Sequence, residues 1–398
     1  MKFVLPNKSL MFLHNINFYS LLLSIAIVSV ILSDIYFIVT DKEPQSWDPA
    51  LHMTYSYIYF KLIASLDFSN IIHVSNYYPP LFHLSSTPLY IFGFSEDIAI
   101  TTNILYYLIL VFSVYSIGKH IWGREAGIIS AILVSFYPAL IKLQREYFID
   151  LALTSIVALP IYLFIKSQNF KNLRYSILFG ISFGLAELLK WNAFIFILPT
   201  VAVLLYFEIF PKNCAYCDKP VGDNAYTTGK LKFCSKKHAK MYKTQNRKKN
   251  TLFNALTAFI IAFITAAWWY LPNLSTVITR LFYFVEWGGR GEPTIYTLEG
   301  WLYYPLHMDR GMGALYFILF VISIFWIMHR RLAEKQVLML LFAIVIPFLV
   351  LTALSNKGDR YIVPVFPFAA LLTSRMLLEV RKKYIWCFMH LDLLKFQR

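Results

Sequence analysis

The sequence predicts an all-α protein that crosses a membrane about ten times. The chain is 58% hydrophobic, and its mean hydropathy is +0.56. Stretches such as 313–328 and 337–354 contain no charged residue. Uninterrupted apolar runs of roughly 17–25 residues are typical of membrane-spanning helices. These observations exclude a soluble globular domain.

The predicted spans follow the apolar runs in chain order. They lie at residues 17–39, 98–118, 125–143, 148–166, 175–189, 192–210, 252–271, 313–329, 336–355 and 361–379. The apolar run at 175–210 is too long for one straight helix, which would also place Lys190 near the bilayer centre. A charge there costs about 2.5–3.5 kcal/mol on insertion scales. We therefore expect two helices joined by a turn at Lys190–Asn192.

The formal net charge is +15, which by itself would fit a nucleic-acid-binding protein. The positions of the charges exclude that class. With the N-terminus inside, the Lys and Arg residues concentrate in the inner loops and most acids lie in the outer loops. This positive-inside pattern predicts a multi-pass protein of the cell membrane with both termini in the cytoplasm and no nucleic-acid partner. The first apolar run lacks a convincing cleavage site, so we expect a retained first helix.

Three units are predicted along the chain. Residues 1–210 form an N-terminal membrane module with a long extracytoplasmic loop at 40–97. Within that loop, 49–65 has the spacing of an interfacial helix, and the proline-rich 78–94 predicts a kinked segment. Residues 211–250 form a cytoplasmic insertion. Residues 251–398 hold the C-terminal helices and a tail, with an outer loop at 272–312 predicted to act as a flexible lid.

Several charged residues on the predicted outer face are candidates for chemistry. Asp48 and His52 are four residues apart and share a helix face, and Asp150 starts the fourth span. Each candidate also has a structural interpretation, because Asp48 and Asp150 both suit a helix start. The set also comprises His83, Arg145, Lys190 and Arg360. The histidines could be packing residues, and Lys190 and Arg360 could extend to lipid headgroups.

The order of short motifs resembles the GT-C superfamily of integral-membrane glycosyltransferases. It is most similar to the branch with protein O-mannosyltransferases (glycosyltransferase family 39) and the lipid A aminoarabinose transferase. The motifs are Trp47-Asp48-Pro49, Tyr78-Pro79-Pro80-Leu81, residues 145–150 (REYFID), 184–191 (GLAELLKW) and 360–367 (RYIVPVFP). The resemblance covers roughly residues 20–380 without the 211–250 insertion. The family usually has an acidic pair in the first loop, and here Pro49 replaces the second acid.

The resemblance implies an inverting transfer of a sugar from a polyprenyl- or dolichyl-phosphate carrier to an extracytoplasmic acceptor. It implies that Asp48 is the general base and that Asp150 orients the acceptor or helps to bind a metal. Arg360, Lys190 and Arg145, in that order, would neutralise the leaving phosphate. The remaining candidates for substrate binding are Tyr78, His52 and His83. A divalent ion held by Asp48 or Asp150 with one of these histidines stays open.

The insertion carries a separate signal. Cys214, Cys217, Cys234 and His238 have the spacing of a tetrahedral zinc site in a small treble-clef-like finger. We interpret it as a structural zinc that staples the basic loop, pressed to anionic lipid. Unligated thiols are the alternative.

Two other functions are compatible with a polytopic chain. A transporter or lipid flippase would favour charges in mid-span and two related halves, whereas here the charges gather in outer loops. A zinc-anchored membrane scaffold would leave the outer acids without a role. The sugar, the length of the lipid and the acceptor, which could be a protein, a lipid or a glycan, have no recognisable motif.

Overall fold

A computed structural model describes residues 18–209, 214, 221, 225–228, 231–246, 250–286, 293–330, 334–354 and 356–395. Nearly all of the regular structure in these residues is helical, as the composition predicts. Six of the described helices are long and apolar enough to cross a membrane, or seven if one bent pair counts as a span. A helix lies at each predicted span, but the predicted number of about ten crossings stays a prediction.

The first helix, α1 (Phe18–Thr40), leads into the segment predicted as the first loop. That segment folds as α2 (Trp47–Ala64), a 3₁₀ turn, α3 (Leu81–Ser86) and a second 3₁₀ turn (Thr87–Phe92). A helix is thus present where residues 49–65 predicted one. Prolines divide the following apolar stretch into two short turns, because a proline removes a backbone donor and disrupts a continuing helix.

Four helices follow, and a proline bends one of the predicted spans. They are α4 (Glu96–Trp122), α5 (Arg124–Ser135), α6 (Pro138–Gln144) and α7 (Ile149–Lys166). The α5 and α6 helices meet at an angle of 65°. Pro138 occupies the first turn of α6, where its missing N–H would have had no partner. The bend turns α6 away from the line of α5, so that its residues can line a cavity.

The next two helices, α8 (Leu173–Glu187) and α9 (Phe194–Ile209), are joined by a short turn at the predicted Lys190–Asn192 position. α8 packs closely against α11 (Thr251–Glu286). A Cβ atom at Gly184 would lie 2.6 Å from the Ala262 carbonyl oxygen, and one at Gly180 would collide with the carbonyl oxygen of Ala258. Two glycines four residues apart therefore allow the helix backbones to touch.

The insertion between α9 and α11 contains a small hairpin and a helix. β1 (Tyr226–Thr228) pairs antiparallel with β2 (Leu231–Phe233), with Tyr226 opposite Phe233, and α10 spans Lys236–Asn246. The rest of the chain forms α12 (Leu298–Met312), α13 (Ala314–His329), α14 (Lys335–Ala353), a 3₁₀ segment (Asp359–Val365) and α15 (Phe366–Lys395).

The segment predicted as an outer loop, 272–312, is largely helical in its described residues, and its role as a lid stays a prediction. α11 continues past the expected end of its span to Glu286, and residues 298–312 form α12 rather than an irregular loop. Both segments keep a regular hydrogen-bonded helix in place of the expected loop. Residues 287–292, between these two helices, lie outside the described residues.

The centre of the bundle is formed by α7 and the stretch from Asp359 to Arg381. In the most apolar 18-residue stretch of each, 78% and 83% of the residues are buried inside the protein, compared with 22% for α1 and for α11. Both central elements begin with a charged residue of the candidate site, Asp150 and Arg360. The packing of the core therefore brings these two residues together at one end of the bundle.

Candidate functional site

Arg360 joins the two candidate acids. Its Nη2 donates a short hydrogen bond to Asp48 Oδ2, and its Nε lies 3.3 Å from Asp150 Oδ2. The guanidinium also lies over the ring of Phe148, 4.5 Å from the ring centre. A planar guanidinium offers donors in fixed directions, so one side chain can hold both carboxylates in place.

Asp150 has a second cationic partner. Lys190 Nζ lies 2.8 Å from Asp150 Oδ1, and the Asp150 side chain is only 4% exposed. Lys190 sits in the turn between α8 and α9, and its ammonium lies 5.0 Å from the centre of the Tyr361 ring. The turn therefore directs the lysine to the site rather than to lipid. Asp48, Asp150, Lys190 and Arg360 form a balanced cluster of two acids and two cations, which we call the charge cluster.

Local structure explains why Asp48 and Asp150 occupy these places. Asp48 lies in the first turn of α2 and Asp150 in the first turn of α7. An acid in the first helical turn is stabilised by the positive end of the helix dipole. Each residue therefore suits its helix start and still directs its carboxylate to Arg360.

His52 and His83 lie next to the charge cluster and contact each other. His52 Nδ1 is 3.0 Å from His83 Nε2, and both rings are buried. Burial, with the positive charges of Lys190 and Arg360, lowers the pKa of His52 to about 3. Burial also holds the pKa of His83 well below its usual value. The two imidazoles are therefore neutral at neutral pH and do not serve as cations for a phosphate.

A cavity of about 100 Å³ opens beside the charge cluster. Its wall holds His52, Asp150, Lys190 and Arg360, together with Tyr77, Tyr78, Ile149, Trp191, Asn192, Leu351, Leu354, Asn356 and Tyr361. We call it the polar cavity. The predicted Tyr78 is part of this wall, and burial raises the pKa of its phenol to about 12. Tyr78 can therefore donate a hydrogen bond from a protonated hydroxyl at neutral pH.

An apolar groove of about 940 Å³ adjoins the polar cavity. It runs between α9 and α14 and shares Trp191, Asn192 and Leu354 with the polar cavity. Its wall is apolar over most of its length and includes Leu198, Ala202, Val203, Phe342, Ile346 and Val350. Several wall residues are exposed on the helix surfaces. A hydrocarbon chain can therefore enter the groove from the bilayer.

A second cavity, of about 490 Å³, also reaches Arg360 and has Phe148 in its wall. It is lined by residues of α6, α12 and the intervening segments: Ser46, Pro138, Ala139, Lys142, Leu143, Glu146, Phe148, His307, Arg310, Gly311, Asp359, Arg360 and Val363. We call it the outer cavity. Burial raises the pKa of Glu146, against the opposing charge of Lys142. Arg360 is common to both cavities, and Ser46 of the outer cavity lies two residues before Asp48.

The structure does not bring Arg145 to the charge cluster. Its Nε pairs with Asp34 Oδ1 of α1 at 3.2 Å, and its Nη2 donates to Ser33 Oγ at 2.8 Å. The guanidinium also lies 4.7 Å from the centre of the Phe37 ring. Arg145 thus compensates a buried acid in the membrane-spanning region, since an unpaired carboxylate there is costly.

Sequence analysis missed several residues of the polar cavity. Tyr361 and Trp191 stood inside the quoted motifs without an assigned role, and Tyr77 and Asn356 carried no motif. Phe148, which contacts the Arg360 guanidinium and lines the outer cavity, was also missed. Tyr77 directly precedes Tyr78, so the paired tyrosines before Pro79-Pro80 were an available signal. Asn356 lies in an irregular stretch whose side-chain direction depends on tertiary packing.

Metal ligands gather in the insertion rather than at the charge cluster. In the described part of the chain, a single set of three potential ligand residues has its atoms within 4.8 Å of one another: Cys214, Cys234 and His238. Cys214 Sγ lies 3.6 Å from His238 Nδ1 and accepts a hydrogen bond from the Cys234 N–H. The predicted fourth ligand, Cys217, lies outside the described residues. Thiolate and imidazole are the ligands that zinc prefers.

Comparisons with known proteins agree with this architecture. Residues 79–217 match a family model described as dolichyl-phosphate-mannose-protein mannosyltransferase. ArnT from Cupriavidus metallidurans superposes with a TM-score of 0.59 in the apo state and 0.60 bound to undecaprenyl phosphate. Identity is 16% and 15%, over 88% of this chain and 58% and 59% of ArnT. The chain therefore has the fold of ArnT and spans less than two thirds of its length.

A more distant likeness is to the oligosaccharyltransferase of Archaeoglobus fulgidus, tethered to an acceptor peptide. Its TM-score is 0.51 at 13% identity, over 90% of this chain and 50% of that chain. A search of curated proteins gave no match. The matched segment 79–217 includes Asp150 and Lys190 but neither Asp48 nor Arg360.

Proposed function

We propose that this chain is an inverting glycosyltransferase that moves a sugar from a polyprenyl- or dolichyl-phosphate donor to an acceptor hydroxyl. The matched family model describes an enzyme with a dolichyl-phosphate sugar as donor. ArnT, which shares the fold, binds undecaprenyl phosphate in one of its structures. Both findings support the GT-C resemblance and a polyprenyl phosphate partner for this chain.

The contact between the apolar groove and the polar cavity carries the proposal. A lipid-linked sugar phosphate needs an apolar site for its chain, cations for its phosphate and a polar site for its sugar. The groove ends at Trp191, Asn192 and Leu354, where Lys190 and Arg360 enter the polar cavity. One ligand can therefore place its chain in the groove and its phosphate against both cations.

The charge cluster couples donor binding to activation of the acceptor. In the structure, Arg360 neutralises Asp48 and Asp150. A bound phosphate competes for the same guanidinium and for Lys190, so it weakens the hydrogen bond to Asp48. A carboxylate that loses a cationic partner becomes more basic. Donor binding thus prepares Asp48 to accept a proton.

Transfer then proceeds by a single displacement. The acceptor oxygen bonds to the anomeric carbon as the bond from that carbon to the phosphate oxygen breaks. The electron pair goes to the phosphate, whose added charge is stabilised by Arg360 and Lys190. Asp48 takes the proton from the acceptor hydroxyl. The polyprenyl phosphate is released, and attack from the opposite face inverts the sugar.

The outer cavity is the proposed approach for the acceptor. Of its described wall residues, it shares Arg360 alone with the polar cavity, and Ser46 in its wall is close in sequence to Asp48. A protein, a lipid and a glycan hydroxyl all remain candidates. By the positive-inside rule, this end of the bundle faces away from the cytoplasm and both termini face inward. Asp150 orients the acceptor in this scheme, and a divalent ion at Asp48 or Asp150 is an optional addition.

For the insertion we propose a structural zinc site formed by Cys214, Cys217, Cys234 and His238. The approach of three of these residues supports it. The ligands come from the start of the insertion, the end of β2 and the first turns of α10, so a metal would tie together segments with little apolar core. A Cys214→Ser variant should lose zinc from the purified protein, as measured by elemental analysis, while it retains sugar transfer. Zinc content equal to that of the wild type would contradict this assignment.

The experiment for the proposed function uses the full chain in lipid nanodiscs with polyprenyl phosphate mannose radiolabelled in the sugar. Released polyprenyl phosphate and labelled acceptors of a membrane extract are measured. We expect transfer by the wild type and its loss in Asp48→Asn. The matched control is Asp67→Asn, which changes another acid of the same loop, whose carboxylate accepts hydrogen bonds from nearby Ser69 and Asn70. Movement of the lipid across the bilayer without cleavage would favour a flippase and contradict the proposal.

A further inference from the structure

A buried pair of histidines forms part of the polar cavity. His52 lies one turn after Asp48 on α2 and lines the polar cavity, and His83 lies behind it on α3. Their ring nitrogens, Nδ1 of His52 and Nε2 of His83, are 3.0 Å apart. Aromatic rings surround the pair: Tyr55, Tyr59, Tyr78 and Phe82. These contacts hold the pair in a fixed orientation. The ion pairs of the charge cluster form without either histidine.

The hydrogen bond between the rings needs one donor and one acceptor, so the tautomer of each ring matters. The backbone carbonyl of Pro79 acts on the His83 ring, and Nδ1 is the buried ring nitrogen that does not face His52. This contact lacks regular hydrogen-bond geometry, but a carbonyl oxygen favours a proton on the neighbouring nitrogen. His83 then carries its proton on Nδ1 and accepts a hydrogen bond at Nε2 from the Nδ1–H of His52.

The cations of the polar cavity favour the same arrangement. Lys190 and Arg360 both act on His52 electrostatically. A nitrogen lone pair directed toward positive charge is more stable than an N–H group in that direction. His52 therefore presents an unprotonated Nε2 to the polar cavity, and this atom is a hydrogen-bond acceptor.

We infer that His52 is a specificity-determining residue, whose Nε2 accepts a hydrogen bond from one hydroxyl of the donor sugar, and that His83 is the positioning residue that sets its tautomer. This inference rests on the proposed function. The other hydrogen-bonding groups in the wall of the polar cavity include the charged Asp150, Lys190 and Arg360, which serve the phosphate and Asp48. A neutral acceptor beside them can select a hydroxyl group without competing for the phosphate.

The location favours the sugar of the donor over the acceptor. His52 lines the polar cavity with both phosphate-binding cations, but it does not line the outer cavity. Aromatic rings of Tyr77, Trp191 and Tyr361 also face the polar cavity. Aromatic faces and polar groups together suit a pyranose ring, which has apolar C–H faces and hydroxyl edges. The volume of about 100 Å³ leaves no room for more than one sugar ring.

The test measures kcat/KM for polyprenyl phosphate mannose and for its 2-, 3-, 4- and 6-deoxy analogues, using the full chain in nanodiscs. For the wild type, one deoxy donor should be roughly tenfold poorer than the parent, the effect of one lost hydrogen bond. In His52→Ala, kcat/KM for the parent donor should fall to that of this analogue. The ratios of kcat/KM between the parent and the other analogues should stay unchanged. His83→Ala should reduce the same ratio partly.

The outcomes separate the inference from the function on which it rests. Equal loss for every donor in His52→Ala, or a changed KM for the acceptor alone, would overturn the sugar contact. No transfer by the wild-type chain from polyprenyl phosphate mannose or from polyprenyl phosphates of other sugars would overturn the proposed function and this inference with it. His73→Ala is the matched control, because His73 is an exposed histidine in the same segment and should retain the wild-type ratios.

A second measurement does not depend on activity. ¹⁵N-histidine spectra of the full chain in nanodiscs, compared with those of His52→Asn, identify the His52 signals. We expect a protonated Nδ1 and an unprotonated Nε2, and we expect His83→Ala to shift the ring toward a mixture of tautomers. A wild-type His52 protonated on Nε2 would contradict the inference even if the variants lose stability.

Discussion

Asp150 and Lys190 form a nearly buried ion pair, with 2.8 Å between Oδ1 and Nζ, in the wall of the polar cavity. Replacement of Lys190 leaves Asp150 with Arg360 as its partner, and replacement of Asp150 removes the carboxylate that compensates Lys190 in a poorly solvated place. We expect Asp150→Asn and Lys190→Met each to lower the free energy of unfolding by about 3 kcal/mol. The double variant should lose less than the sum of both effects. Thermal unfolding of the purified chain measures this coupling, and additive losses would show that the pair contributes nothing.

Arg360 contacts both carboxylates through a planar set of donors. Loss of this geometry should therefore weaken donor binding even when the positive charge is kept. Arg360→Lys keeps the charge but loses the planar set of donors. We expect polyprenyl phosphate to inhibit sugar transfer roughly tenfold more weakly in Arg360→Lys than in the wild type, and still more weakly in Arg360→Gln. The exposed Arg174 provides the control variant Arg174→Gln. Unchanged inhibition in Arg360→Gln would place the phosphate elsewhere.

The apolar groove should contribute to affinity in proportion to the lipid chain. Ala202 lines the groove and is itself exposed, so Ala202→Trp should fill part of it with little strain in the core. We expect kcat/KM for a long polyprenyl donor to fall roughly tenfold, and a donor with a very short chain to be almost unaffected, because it buries few methylenes. Leu32→Trp, on the exposed face of α1, is the control. Equal losses for both donors would argue against a chain in the groove.

The histidine pair makes stability dependent on pH. Folding holds the pKa of His52 near 3 and that of His83 well below normal, whereas the unfolded chain protonates its histidines near pH 6.5. The unfolded state therefore binds more protons between these values, so the free energy of unfolding falls as the pH decreases below about 6.5. Each buried histidine contributes up to about 1.4 kcal/mol per pH unit.

Unfolding temperatures between about pH 4 and pH 7 check this dependence. His52→Gln and His83→Gln should each show a smaller slope than the wild type, even if their absolute stability is lower. The control His73→Gln changes an exposed histidine and should keep the wild-type slope. Identical slopes in all four proteins would show that the pair is not buried in its neutral form.

The contact between α8 and α11 should tolerate no larger side chain at Gly184. A Cβ there meets the Ala262 carbonyl and Thr265, so Gly184→Val forces the helices apart. We expect a loss of about 2–3 kcal/mol in the free energy of unfolding. Ile181→Val, on the exposed face of the same helix, should change it by less than about 1 kcal/mol. Normal stability of Gly184→Val would mean that the helices separate at little cost.

Sequence patterns were sufficient for the helices and for part of the charge cluster. The positions of the apolar runs predicted most of the helices. The cost of burying Lys190 predicted the turn that the structure has at 188–193. The family resemblance placed Asp48, Asp150 and Arg360 in one site, and the structure brings these three residues together. Hydropathy identifies spans well because backbone groups in lipid must bond within a helix.

Side-chain direction was less accessible from the sequence. Arg145 lies close to Asp150 in the chain, but its guanidinium turns to Asp34 of α1, and nothing in a local pattern shows which helix lies alongside. The helices within 272–312 were missed for a related reason. The glycines and charges of this segment suggested a loop, whereas α11 and α12 remain helical there. The paired histidines also needed coordinates, since their contact joins two separate helices.

The groove between α9 and α14 lies open along the bundle surface. A donor that enters by this route comes from the neighbouring lipids and never dissolves in water. Turnover will then follow the mole fraction of the carrier in the leaflet rather than its amount per litre, and added bulk phospholipid will act as a diluent.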